Sequence, residues 1–160
     1  NLQVIEGVFR FTADQERAHA KVFYSFLEPL CGKNIAIDGT YPVDLSPSVL
    51  DQLRAAQHNE YQEWEHDYAA FAKVAEKEGF LQISKAFELI AGVEKTHGDR
   101  FGRFADLLEN DGLFQDQGGT KWMCLNCGQI VDTSMAPALC PICKYPQGYF
   151  IRLDMAPFGA

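Results

Sequence analysis

The chain lacks any run of about eighteen apolar residues, the length a membrane helix needs, so no segment reads as a membrane span. It is poor in basic residues. Fourteen Lys and Arg stand against 22 Asp and Glu, a net charge of −8. Phosphate contacts need Lys and Arg, so a general nucleic-acid binder is excluded. Neither nucleic acid nor a membrane is expected as a partner. No signal-peptide pattern opens the chain. Its first residue is Asn rather than Met, which points to processing or truncation. Cysteine is scarce and unevenly placed: four of the five crowd between Cys124 and Cys143, and Cys31 stands alone. An odd count with two tight pairs does not make a secreted disulfide framework. It implies a reduced compartment, the cytoplasm, and a metal. With 47% hydrophobic residues, what is present suffices for a packed core.

Apolar residues at three- and four-residue steps (Val4, Val8, Phe11, Ala18, Val22 and Phe26) predict one amphipathic helix over about 1–28. Turn chemistry from Pro29 to Pro47 breaks it, with room for an extended piece around Ile35–Tyr41. Ser46-Pro47 then predicts a cap and first position for a second helix, which Gly79 stops. A third runs from about Phe80 to Asn110. Asp111-Gly112 and Gly118-Gly119 mark a polar linker. The last forty residues hold both cysteine pairs and four of the seven prolines, with little helical pattern. They read as a small module whose metal supplies much of its folding energy. The expected domains are therefore 1–112, helical, and 113–160, linker and metal-stapled module.

An internal repeat lies inside the helices. Phe9, Glu16, His19, Phe23 and Phe26 recur at one constant offset as Phe87, Glu94, His97, Phe101 and Phe104. The phenylalanines suit a core. The paired Glu and His suit a metal, because residues three apart share a helix face and can aim at one centre. Glu60 and Glu63, again three apart, add two carboxylates. Oxygen and imidazole donors favour iron or manganese, and carboxylates can bridge two metals. Two Glu-x-x-His pairs with further Glu residues match the di-iron carboxylate bundle. His58 and His66 fall outside the repeat and read as surface or supporting residues. Cys31 reads as a buried or inert thiol rather than a nucleophile.

Cys124-x-x-Cys127 and Cys140-x-x-Cys143 form the strongest local signal. Two such knuckles give four thiolates in a tetrahedron, suited to zinc or iron. Gly128 follows the first knuckle, and Pro141 stiffens the second.

These segments resemble the rubrerythrin family. The carriers are Thr12-Ala13-Asp14-Gln15-Glu16-Arg17-Ala18-His19-Ala20-Lys21, Glu60-Tyr61-Gln62-Glu63, Phe71-Ala72-Lys73-Val74-Ala75 through Glu78-Gly79-Phe80, Glu94-Lys95-Thr96-His97, and Lys121-Trp122-Met123-Cys124 through Cys143. The resemblance implies a mainly α chain: a ferritin-like di-iron bundle followed by a rubredoxin-like β/loop domain. It implies two irons held by Glu16, His19, Glu60, Glu63, Glu94 and His97. Glu16 and Glu94 would bridge, and Glu63 would exchange with His19 as one iron changes oxidation state. It implies one iron, with zinc as the alternative, on Cys124, Cys127, Cys140 and Cys143. The implied activity is reduction of hydrogen peroxide to water in oxidative-stress defence. Electrons would come from NADH through a partner such as a rubredoxin or its reductase, to a homodimer or higher homo-oligomer.

Two departures accompany the resemblance. The family places another ligand-bearing helix before the first one here, so that helix is expected to be absent from this sequence or supplied by another chain. Gln129 and Ile130 follow Gly128 where the family often has an aromatic residue. Alternative functions are a ferroxidase or iron-storage relative, and a non-catalytic metal-binding electron-transfer protein.

Overall fold

Helix-forming stretches and Gly or Pro breaks alternate along the first two thirds of the chain, and the computed structural model, which describes residues 2–157, follows them. The elements are α1 (Gln3–Ser25), α2 (Val49–Gln62), α3 (Tyr68–Lys77) and α4 (Leu81–Glu109). A π-helical turn, Glu63–Asp67, joins α2 to α3 as one rod, so the helical part comprises three rods. Strands β1 (Lys121–Cys124), β2 (Ile130–Asp132) and β3 (Phe150–Arg152) follow. No helix among the described residues is long and apolar enough to cross a membrane. The chain forms two compact units, Thr12–Arg103 and Asn1–Phe11 with Phe104–Ala160.

Local chemistry sets the helix ends. The N-cap of α2 is Ser48, whose hydroxyl accepts from Asp51 N–H, and not Ser46 as the Ser-Pro pair predicts. Ser46 Oγ instead accepts from Ser48 N–H and donates to Asp51, bracing the turn ahead of the cap. At the other end of the rod, Gly79 takes φ +85, as a C-terminal stop requires. Phe80 N–H reaches Ala75 O and Gly79 N–H reaches Glu76 O, the paired bonds of a Schellman ending.

One sequence expectation changes here, while the piece around Ile35–Tyr41 takes up neither helix nor strand. The predicted stripe of α1 splits over two faces: Val4 and Val8 are buried, whereas Phe11, Ala18 and Val22 are exposed. The buried face runs through Val4, Ile5, Val8 and Thr12, and carries Glu16 and His19 onward. Apolar spacing alone could not separate two adjacent apolar faces on one helix.

In the other unit the sheet order is β2-β1-β3, antiparallel throughout. Trp122 faces Val131 on one side and Arg152 on the other. Its ring is fully buried with Phe150, Ala136, Cys124 and Cys140, and its indole N–H donates to Thr133 O at 2.9 Å. A module this small has little other core. The sheet therefore positions the cysteines, and a bound metal closes them.

Candidate metal centres

A Glu and a His three residues apart on a helix point the same way. Helix α1 presents Glu16 and His19, and α4 presents Glu94 and His97. His97 Nδ1 lies 2.7 Å from Glu16 Oε1, 2.9 Å from Glu94 Oε2 and 3.4 Å from Glu60 Oε2. His19 Nδ1 lies 3.2 Å from Glu16 Oε2 and 3.1 Å from Glu94 Oε1. The two imidazole rings stack with centroids 5.6 Å apart. Glu16 and Glu94 therefore each turn one oxygen to each imidazole, which is the disposition of bridging carboxylates.

His19 Nδ1 and Glu16 Oε2 are within hydrogen-bonding geometry, but the close approaches to His97 are not hydrogen bonds. Glu16 Oε1, both oxygens of Glu94 and both ring nitrogens of His97 are buried without a hydrogen-bond partner. Buried polar atoms normally have partners. Donor atoms that crowd together without aligning on each other share a common target instead. Ligand atoms of Glu16, Glu60, Glu94 and His97 all lie within 4.8 Å of one another. Carboxylate and imidazole donors suit iron or manganese, so the residues fit the metal.

The electrostatics agree. Burial works against charge on His97, but the carboxylates of Glu16, Glu60 and Glu94 outweigh it and hold the imidazole up to about 11. Glu16 is also opposed by burial, yet His97 and His19 keep its carboxyl below the ordinary range. Burial dominates at Glu60 and raises it. Burial, then Glu94, Glu60 and Glu16, push Glu63 up to about 7. So many carboxylates in one half-buried place repel each other, and divalent cations are the direct remedy.

The structure thus brings Glu16, Glu60, Glu94 and His97 together. His19 stands beside the two bridging candidates. Glu63 lies outside that four-donor group, though Glu94, Glu60 and Glu16 are near enough to raise its carboxyl. His58 and His66 are exposed, as expected. Cys31 is exposed and free, so it is not the buried thiol that its neighbourhood in the sequence suggested.

Sequence reasoning missed the π turn. It also missed Arg100, whose guanidinium donates to Thr12 Oγ1 at 2.8 Å and to Gln15 Oε1 at 3.1 Å, tying α4 to α1 one turn from the ligands. One signal was available: Arg100 lies three residues beyond His97, on the ligand face. Another omission is Gly98. A Cβ there would meet the Tyr61 ring at 2.5 Å, so its absence lets α2 lie close beside α4.

The four cysteines converge within the other unit. Cys124 Sγ and Cys143 Sγ are 3.7 Å apart, and Cys127 Sγ and Cys140 Sγ 3.6 Å. Those separations are too long for disulfides. A metal–sulfur bond of about 2.3 Å gives a tetrahedral edge of about 3.8 Å, so the sulfurs already form a metal-sized tetrahedron. The two knuckles share one backbone plan. Gly128 N–H bonds Cys124 O, and Lys144 N–H bonds Cys140 O. Cys124 N–H bonds Gln129 O, and Cys140 N–H bonds Tyr145 O. Gly128 and Lys144 take matching left-handed conformations, φ +77 and +62. A non-glycine residue thus accepts at the second knuckle what the first gives to glycine. Burial pushes the Cys124 thiol up. Burial also opposes charge on Cys143, but the Tyr145 amide and the Asn126 side chain outweigh it and favour its thiolate.

Known proteins are similar to this chain over most of its length. Residues 1–105 match the family model described as rubrerythrin, and residues 122–151 match that described as the rubrerythrin rubredoxin-like domain. Rubrerythrin from Porphyromonas gingivalis is 42% identical over 146 residues, covering 91% of this chain and 72% of that protein. Rubrerythrin from Clostridium perfringens is 40% identical, covering 91% and 75%. Rubrerythrin from Nitratidesulfovibrio vulgaris is 36% identical, covering 94% and 78%. Among solved structures, partially reduced nigerythrin superposes with a TM-score of 0.54 at 22% identity, covering 91% of this chain and 68% of that one, a likeness of fold. With both donor sets suited to iron and both family models matched in order, the chain belongs to the rubrerythrin family and has an iron-based redox role.

Proposed function

We propose that the protein is a non-haem di-iron peroxidase that reduces hydrogen peroxide to water in oxidative-stress defence. The observation that carries this reading is the pair Glu16 and Glu94, each offering one oxygen to His19 and one to His97. Such a disposition holds two metals side by side. When bound, two ferrous irons supply the two electrons that cleaving one O–O bond requires, and polarise the peroxide. In this reading Glu16 and Glu94 would be shared by both metals, Glu60 and His97 would help hold one, and His19 and Glu63 would help hold the other. Glu63 would offer that position a carboxylate, which favours a ferric ion, and His19 a neutral imidazole, which tolerates a ferrous one. The buried floor of Glu94 and His97 keeps water from the donor atoms on that side.

Cys124, Cys127, Cys140 and Cys143 would hold a third iron, which when bound would supply one-electron transfer. A zinc there would only fold the module. The functional division is 1–112 for the reaction and 113–160 for electron delivery. The electrons reach the second part from NADH through a rubredoxin or its reductase. The assembly is a homodimer or higher homo-oligomer in the cytoplasm.

The test is to mix anaerobically reduced protein with peroxide or with oxygen. Reoxidation by peroxide much faster than by oxygen is the expected result. Equal rates would remove the peroxidase reading and favour a ferroxidase.

A further inference from the structure

The ligands carried by α2 and α4 have neighbours in the chain that hold one another. Tyr61 follows Glu60, Trp64 follows Glu63, Lys95 follows Glu94, and Asp99 stands two residues beyond His97. The Tyr61 hydroxyl donates to Asp99 Oδ1 at 2.7 Å, and Lys95 Nζ donates to Asp99 Oδ2 at 2.7 Å. Lys95 Nζ lies over the Trp64 ring, 5.2 Å from its centre, and Trp64 meets Tyr61 edge to face at 5.8 Å. The four side chains close a circuit, two from each helix.

That circuit seats the Tyr61 ring in a notch. Gly98 has no side chain where the ring crosses α4, and a Cβ there would lie 2.5 Å from two ring carbons. Swinging the ring aside would break its bond to Asp99 and its contact with Trp64. One turn along, Gln57 crosses α4 at Gly102, but the atoms nearest Gly102 are the amide end of a flexible side chain, which can give way. Tyr61 on Gly98 is therefore the stiff contact between the two helices. It is one residue from Glu60 on one side and one from His97 on the other.

The distance between these helices governs one ligand separation above the others. His97 Nδ1 is 2.7 Å from Glu16 and 2.9 Å from Glu94, but 3.4 Å from Glu60 across the helix pair. Metal bonds of about 2.0–2.2 Å at right angles put two donor atoms about 2.8–3.1 Å apart. A small ion must therefore draw Glu60 inward, whereas a larger ion is reached from where it stands.

We propose, resting on the metal reading above, that Tyr61 seated on Gly98 is a spacer that sets the size of ion the cluster accepts. Both are positioning residues, acting through Glu60 and His97. Bulk added at the notch holds Glu60 out and penalises the smaller ion. Bulk removed lets Glu60 close and favours it.

The test uses the full chain with zinc in the four-cysteine site and the helical cluster stripped of metal. It is titrated with Co(II), followed by visible absorption, and with Mn(II), the larger ion, followed by electron paramagnetic resonance of the free ion. The quantity read is the ratio of the two affinities, because a general loosening of the fold weakens both alike. Wild type prefers Co(II), in the ordinary order of divalent affinities. Gly98→Ala should lower Co(II) affinity about tenfold, as loss of ligand support does, and Mn(II) affinity by less, so the ratio narrows. Tyr61→Ala, which takes the ring out of the notch without adding bulk, should widen it. The two changes together should return it toward wild type. Gly102→Ala, which meets only the yielding Gln57 amide, should leave it unchanged. A wild-type ratio in either Gly98→Ala or Tyr61→Ala, whichever folds, overturns the spacer and leaves the metal reading standing. Wild type that takes up neither ion at the cluster overturns the metal reading, and the spacer with it.

Discussion

The two copies of Glu-x-x-His share a sequence pattern and differ in surroundings. In α4, Glu94 and His97 are both 0% exposed. In α1, the Glu16 side chain is 38% exposed and that of His19 13%. The flanking phenylalanines follow suit: Phe101 and Phe104 are buried, while Phe23 and Phe26 are half-buried. One copy forms the floor of the site and the other its rim. A repeat therefore specifies which atoms can meet a metal, while the neighbouring helices decide which of them solvent can reach.

The strongest challenge to that distinction is to remove each bridging carboxylate in turn. Glu94→Ala should lower peroxide turnover by more than about 100-fold, the loss that even outer-shell changes can reach, and leave the colour of the four-cysteine site intact. Glu16→Ala opens onto solvent, so water can enter as a substitute donor, and its turnover should stay at least about tenfold above that of Glu94→Ala. Equal losses would erase the floor-and-rim division.

A smaller effect separates the residues that follow each histidine. Gly98→Ala would press a methyl group into the Tyr61 ring and should cost about 2 kcal/mol in a denaturant titration. The matching position in the other copy, Ala20, is exposed. Ala20→Gly should cost about 1 kcal/mol through helix propensity alone. Opposite preferences at equivalent positions would confirm that α2 crowds one copy only.

Acidity sharpens the contrast next. The folded, metal-free protein holds a proton on Glu63 up to about 7, whereas the unfolded chain releases it near 4.5. It also holds one on His97 up to about 11, against 6.5 unfolded. Both groups bind more protons when folded, so stability is greatest at low pH within this window and falls as pH rises through 4.5 to 7 and beyond 6.5. After allowance for solvent screening the loss between pH 5 and 9 should be about 1 kcal/mol, measured as a falling melting temperature. Metal-loaded protein should not show it, because bound cations displace those protons. The smallest effect should come from Arg17→Ala on the open copy. Its partner Asp14 is equally exposed, and the change should stay within about 0.5 kcal/mol.

Much of this site is legible in the amino-acid sequence. The repeat exposes Glu16, His19, Glu94 and His97 because ligand geometry leaves a spacing that survives in sequence. The cysteine knuckles do so for the same reason. The π turn leaves no such trace. Its residues, Glu63–Asp67, contain neither Gly nor Pro, and one widened turn within a continuous rod changes no composition. The cap at Ser48 rather than Ser46 turns on which hydroxyl reaches Asp51 N–H, a matter of ångströms between two similar candidates. The burial difference between the copies is set by distant segments, which no local pattern records.

Between Asn34 and Pro47 the described chain makes no backbone–backbone hydrogen bond, and Ile37, Tyr41, Val43 and Leu45 stand open to solvent. A protease needs an extended, accessible backbone, and this stretch offers one on the tether between α1 and α2. Once that tether is cut, the covalent path from Glu16 and His19 to the other ligands is gone, and the metals become the bond that replaces it. Nicked protein should therefore hold its two fragments together while loaded and release them to a chelator. In that sense the cofactor is also a clasp, and its occupancy could be read on a gel.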